Sequence, residues 1–236
     1  PGAVGEYWSP DLQLLLHYQE KSGRVMSLFD VPLHFHFMQA SSSNGNFDMS
    51  KIFENTLTAV QPEYAVTFVD NHDTQPGQAL QSFVQPWFKP HAYAMILLRQ
   101  AGTPCIFYGD YYGIPHDNIP SQQELLNVLL GLRQQILGTV QEDYLDDANI
   151  IGWVRRDEGD LNKCCVVILT DSCGGQKRMQ AGRAYAGKKF RDALGRRQDL
   201  VGIGEDGWGD FPVDAGAVSV WVPVLGLSLI HISEPT

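Results

Sequence analysis

The chain has 236 residues, room for one large or two ordinary domains around a sizeable buried core. Its formal net charge of −10 speaks against a nucleic-acid partner, because phosphate binding needs a basic face. No apolar run is long enough to cross a bilayer, so no membrane-spanning segment is expected either.

In chain order, Val4–Trp8 is a short apolar strand, and Ser9-Pro10 opens a helix as a cap followed by proline. That helix turns Leu12, Leu15 and Leu16 to one face and stops near Gly23. Ser27–Phe37 (SLFDVPLHFHF) reads as extended, with a polar loop after it and a helix from about Asp48 that turns Ile52 and Phe53 inward. Tyr64–Val69 is a buried-type strand running into Asp70-Asn71-His72-Asp73. A helix over about Phe88–Ala101 and a strand over Thr103–Tyr108, ending in Gly109-Asp110, complete the next pair. Ser121 and Glu124 form a capping box at the head of a helix carrying Leu125, Val128, Leu129, Leu132 and Ile136. Strand and helix alternate four times, which means a parallel sheet with crossover helices. The alternation alone does not separate half of a (β/α)8 barrel from a doubly wound sheet.

From about Gln141 short strands dominate, at Ile150–Val154, Cys164–Leu169, Lys189–Asp192 and Val218–Val222, with turn-formers between them. Val218, Val220 and Val222 alternate with Ser219, Trp221 and Pro223, the pattern of a half-buried strand in an antiparallel β domain. Cys105, Cys164, Cys165 and Cys173 make neither a disulfide framework nor a metal pattern, and free thiols point to a reducing compartment. A cytoplasmic location is therefore expected, with secretion the alternative. Leu227–Thr236 (LSLIHISEPT) matches a translated transposase-type sequencing adapter and is set aside as an artefact.

In a parallel α/β barrel the chemistry lies at the C-terminal ends of the strands. The first strand ends in Glu6-Tyr7-Trp8 and the third in His72-Asp73. A carboxylic acid at each of two strand ends, with a tryptophan and a histidine beside them, fits glycoside hydrolysis. One carboxyl protonates the leaving oxygen, the other meets positive charge at the anomeric carbon, and aromatic rings give flat platforms for sugars. Ordinary loop carboxylates are the competing reading.

Five segments, GEYW (5–8), LFDVPLH (28–34), FVDNHDTQPGQ (68–78), WFKPHAYA (87–94) and FYGDYYG (107–113), with GWGDF (207–211) after them, resemble the bacterial α-amylase branch of glycoside hydrolase family 13. The likeness runs in order from about Val4 to Val222. It implies barrel strands five to eight over residues 1–140 and the family's C-terminal antiparallel β-sandwich over 141–226. It implies that Glu6 is the general acid/base, Asp73 the third family carboxylate, His72 a sugar ligand at the same subsite and Trp8 a wall of the cleft. The family nucleophile lies on the fourth strand, and no residue here matches it, so this chain alone is expected to be inactive. The implied activity is retaining endo-hydrolysis of α-1,4-glucosidic bonds in starch or glycogen by a monomer. A transglycosylase of the same family and a non-catalytic scaffold or carbohydrate-binding member are the alternatives.

Structural Ca2+ is implied too, with its main ligands outside this chain. A lesser site would map to the backbone oxygens of Gly45 and Phe47 with Asp171, but Asn149 stands where the family has a further carboxylate. Losing an anionic ligand counts against that site. His34 and His36, two apart on a segment read as extended, would share a face, yet no third metal ligand lies near and structural histidines are expected.

Overall fold

The structure, a computed structural model, describes residues 2–224, and the adapter-like stretch 227–236 lies outside them. Four parallel strands, β1 (Val4–Gly5), β2 (Ser27–Phe29), β3 (Ala65–Phe68) and β4 (Thr103–Cys105), pair in chain order. A sheet whose order never reverses has no switch point and is an arc of barrel wall. That settles the ambiguity left by the alternation of elements in favour of a partial barrel.

Helix α1 (Leu12–Lys21) buries Leu12 and Leu15 as expected. Its cap is Asp11 rather than Ser9: the Gln13 amide donates to Asp11 Oδ1 at 2.8 Å, while Ser9 Oγ accepts from the Asp11 amide. The larger correction is at Ser27–Phe37. The strand stops at Phe29, and α2 (Val31–Ser42) follows. Asp30 caps it by accepting from the Leu33 amide, with Pro32 in the first turn. The alternation Leu33-His34-Phe35-His36-Phe37 looks like a strand. The buried set Leu33, Phe37 and Ala40 is the i, i+4, i+7 face of a helix. His34 and His36 therefore do not share a face.

The helix expected from Asp48 is a single 3-10 turn, Met49–Lys51, and a short α3 (Leu57–Val60) follows. Asp30 joins α2 to α3, since its carboxylate also accepts from the Leu57 and Thr58 amides and the Thr58 hydroxyl. Helix α4 (Lys89–Leu98) is buried nearly all round. Strand β4 ends earlier than expected, because Tyr108–Tyr112 forms a short α5. Helix α6 (Gln123–Gln135) takes the Gln123 amide on Ser121 Oγ and buries Leu126, Leu129 and Leu132.

The remaining strands are β5 (Val140–Tyr144), β6 (Ile150–Arg156), β7 (Cys164–Thr170), β8 (Gly175–Gln180), β9 (Lys189–Asp192), β10 (Leu200–Gly202), β11 (Trp208–Val213) and β12 (Val218–Pro223). Six form an antiparallel sheet in the order β10-β9-β12-β7-β6-β5, faced by the two-stranded ribbon β11-β8. Between sheet and ribbon lie Val154, Val166, Ile168, Met179, Phe190, Phe211 and Trp221. The other face of the six-stranded sheet presents Trp153, Val167, Leu169 and Val220 to Leu97, Leu98 and Leu129 of the helices, so one core joins both parts. Strand β12 is thus buried on both faces rather than one. Cys164 and Cys165 fall on opposite faces, as neighbours on a strand must. Gly152 on β6 leaves room for the ribbon: a Cβ there would sit 2.7 Å from the Val167 carbonyl and 2.8 Å from Met179 Sδ.

Candidate active site

Strand β1 delivers Glu6 and Trp8, and β3 delivers the turn 70–74, both at the C-terminal edge of the parallel sheet. Glu6 and His72 are exposed, while Trp8 and Asp73 are half-buried. His72 Nε2 lies 3.6 Å from Asp73 Oδ2.

His34, one strand across, links these two strand ends. The Trp8 ring sits 5.6 Å from the His34 ring and 6.0 Å from that of Phe68, and His34 stacks on Phe68 at 5.0 Å. His34 Nδ1 donates to the Val69 carbonyl at 2.7 Å, because a carbonyl can only accept. Burial lowers its pKa to about 4, so the ring is neutral and Nε2 accepts from the Ser82 hydroxyl at 2.7 Å. His34 is therefore a buried structural histidine between the two candidate loops. His36 bonds the Ile52 carbonyl elsewhere.

The turn bearing His72 and Asp73 is tied by its own side chains. Asn71 Oδ1 accepts from the amides of Asp73 and Thr74, both at 2.9 Å. Thr74 Oγ1 accepts from the Asn71 amide and donates to Asp70 Oδ1 at 2.8 Å. Beneath the turn lies a set of charged groups that sequence reasoning missed. Lys89 Nζ, fully buried, reaches Asp70 Oδ2 at 3.0 Å and pairs closely with Asp110 Oδ1. Tyr93 Oη donates to Asp110 Oδ2 at 2.6 Å, and the Phe83 ring centroid lies 4.1 Å from Lys89 Nζ. Two carboxylates share one ammonium there. Burial pushes Asp70 up to about 7, with Lys89 opposing and Asp110 adding to the rise. Part of the signal was visible: Lys89 in WFKP and Asp110 in FYGD are lone charges among apolar and aromatic neighbours, and Asp70 directly follows the apolar run YAVTFV.

The lesser calcium site does not fit a cation. Asn149 Nδ2 donates to the Gly45 carbonyl and to Asp171 Oδ1, each at 3.0 Å. Amide hydrogens thus meet the oxygens that a metal would need. Among the described residues no group of three or more His, Cys, Asp or Glu is placed to hold a metal ion.

Residues 165–222 match the family described as "Alpha-amylase C-terminal". Over 223 residues the chain is 55% identical to an α-amylase of Geobacillus stearothermophilus, covering 93% of this chain and 40% of that protein. It is 48% identical over 221 residues to a glucan 1,4-α-maltohexaosidase of Bacillus sp. (strain 707), with 93% and 43% covered. Its fold matches a solved cyclomaltodextrin glucanotransferase with a TM-score of 0.68 at 18% identity, over 95% of this chain and 50% of that one. The chain thus spans about two fifths of the length of these curated relatives. Over that span the chain is similar to bacterial α-amylases, and its residues 165–222 match their C-terminal domain.

Proposed function

We propose that the whole protein carrying this chain is a retaining endo-hydrolase of α-1,4-glucosidic bonds in starch or glycogen, and a monomer. The observation that carries this reading is the placement of Glu6-Tyr7-Trp8 and His72-Asp73 at the same edge of one parallel sheet, joined through the Trp8–His34–Phe68 ring cluster. Glu6 donates a proton to the leaving oxygen and then takes one from the incoming water. Asp73 supplies negative charge as the sugar becomes oxocarbenium-like, which acts most strongly in the transition state. His72, 3.6 Å from that carboxylate, hydrogen-bonds the same sugar, and the Trp8 ring walls the cleft. The nucleophile and the structural calcium belong, on this reading, to segments outside this chain. The chain by itself then releases no reducing sugar.

The test is to digest a maltooligosaccharide with the whole protein and follow the newly formed reducing ends by NMR. The α-anomer appearing first supports the reading, and the β-anomer or no cleavage contradicts it. A second reading, transglycosylation, is favoured by the fold match to a glucanotransferase. Adding a labelled second sugar separates the two, since a transferase moves the glycosyl unit to the label and a hydrolase to water.

A further inference from the structure

We propose that Lys89 is a positioning residue for the candidate catalytic turn: its buried ammonium, held between Asp70 and Asp110, sets the place of Asp73 through Thr74 and Asn71. The inference rests on the reading of Asp73 given above.

The path is short and continuous. Lys89 Nζ reaches Asp70 Oδ2 at 3.0 Å, and Asp70 Oδ1 accepts from Thr74 Oγ1 at 2.8 Å. Thr74 Oγ1 in turn accepts from the Asn71 amide at 3.0 Å, and Asn71 Oδ1 holds the Asp73 amide at 2.9 Å. Asp70 also takes the Val84 amide, which fixes where the chain returns after the turn. On its other side Lys89 holds Asp110, at the head of α5 beyond the neighbouring strand, and Tyr93 occupies that carboxylate's second oxygen. One ammonium on α4 therefore pins the loops that leave β3 and β4.

A purely structural role explains this poorly. Burying three charged groups costs several kcal/mol per ion before pairing, and apolar replacements of such clusters are often neutral or stabilising. Geometry is what the cluster supplies and apolar packing does not. The three elements it joins are one loop and two helix ends, with no strand ladder to hold them in register.

The experiment uses the whole protein and starch, with Asp73→Asn measured in parallel. Thr74→Val keeps the shape but cuts the link between Asp70 and the turn. The double change Lys89→Met with Asp70→Asn removes the ammonium together with one of its counter-charges, while the remaining Asp110 carboxyl keeps the Tyr93 hydroxyl on its second oxygen. We expect kcat to fall about tenfold for Thr74→Val and about a hundredfold for the double variant, since misplacing a catalytic group by about 1 Å costs on that order. KM should stay within about threefold, and the Tm of Thr74→Val within a few degrees. If Asp73→Asn abolishes activity while Thr74→Val and the double variant keep kcat within about twofold of the unaltered protein, the positioning role is overturned and the site reading stands. A fall in Tm with kcat unchanged overturns it equally, as that is a structural role. If Asp73→Asn itself retains full activity, the site reading fails and the inference falls with it.

Discussion

The two halves of the molecule bury different things. The antiparallel part closes on a wholly apolar interior, Val154, Val166, Ile168, Phe211 and Trp221 between sheet and ribbon. Its buried charges do local work: Asp192 accepts from the amides of Leu194, Arg196, Arg197 and Val220, and Arg155 donates to carbonyls at the ends of α4 and α6. The parallel part buries Asp30, His34, Asp70, Lys89, His91 and Asp110. Four of these, His34, Asp70, Lys89 and Asp110, lie at or beneath the C-terminal edge of the strands. Apolar area is enough to close a sandwich. Loops that must present a carboxylate at a defined place are held instead by buried, directional and costly bonds.

That contrast predicts different responses to change. Truncating Trp221 to Ala removes the largest ring of the sandwich interior and its Nε1 bond to the Pro212 carbonyl. We expect about 3–5 kcal/mol of lost stability in urea unfolding of the whole protein, with the loss confined to the transition that reports on this domain. A loss under 1 kcal/mol would mean that the apolar interior is not what closes the sandwich.

Acid should act on the other part. His91, buried at the junction, stacks on Phe88 at 4.9 Å and bonds the Thr170 carbonyl. Burial lowers its pKa to about 4, from an unfolded value near 6.5. The unfolded chain then binds a proton below pH 6.5 that the folded chain refuses, so stability falls as pH drops from about 6.5 towards 4. Asp70, raised to about 7, has the opposite sign across pH 4–7, so the total profile mixes the two. The difference between the unaltered protein and His91→Gln isolates the histidine. The stability advantage of the unaltered protein should shrink by roughly 2 kcal/mol between pH 6.5 and 5, read from urea midpoints. A pH-independent difference would contradict the buried neutral ring.

The smallest effect belongs to Asn149, whose amide joins Gly45 of the barrel part to Asp171 of the β part. Asn149→Asp replaces those donors by a second carboxylate beside Asp171, one of whose oxygens is already buried without a partner. Without divalent ions we expect a loss of about 1 kcal/mol, and millimolar calcium should restore it. A calcium-insensitive variant would show that these oxygens cannot gather round a cation even when the charge is supplied.

How much of this was legible follows from the range of the interactions. Tyr64–Val69 reads as a buried strand because both faces are apolar, and the carboxylates at its end and at Glu6 could be picked out by position. Helix α2 was hidden because Leu33-His34-Phe35-His36-Phe37 fits a period of two as well as a helix, and only the Asp30–Leu33 cap and the packing of Phe37 decide. Strands β8 and β11 carry exposed polar residues such as Gln176, Arg178 and Asp210, so they read as loop until the ribbon covers the sheet. That these three charges form one cluster was illegible for another reason: Asp70, Lys89 and Asp110 meet only once the β3–α4–β4 crossover is made.

Whether Glu6 and Asp73 act on the same bond is read most directly from kcat of Glu6→Gln in the whole protein, on starch and on a maltooligosaccharide with an activated aryl leaving group. Glutamine keeps the shape but transfers no proton, so starch turnover should fall about 10²–10⁴-fold. Activity on the aryl substrate should fall far less, because that leaving group needs little protonation. Asp73→Asn should fall on both substrates alike. Starch activity largely retained by Glu6→Gln would contradict the assignment of the acid/base.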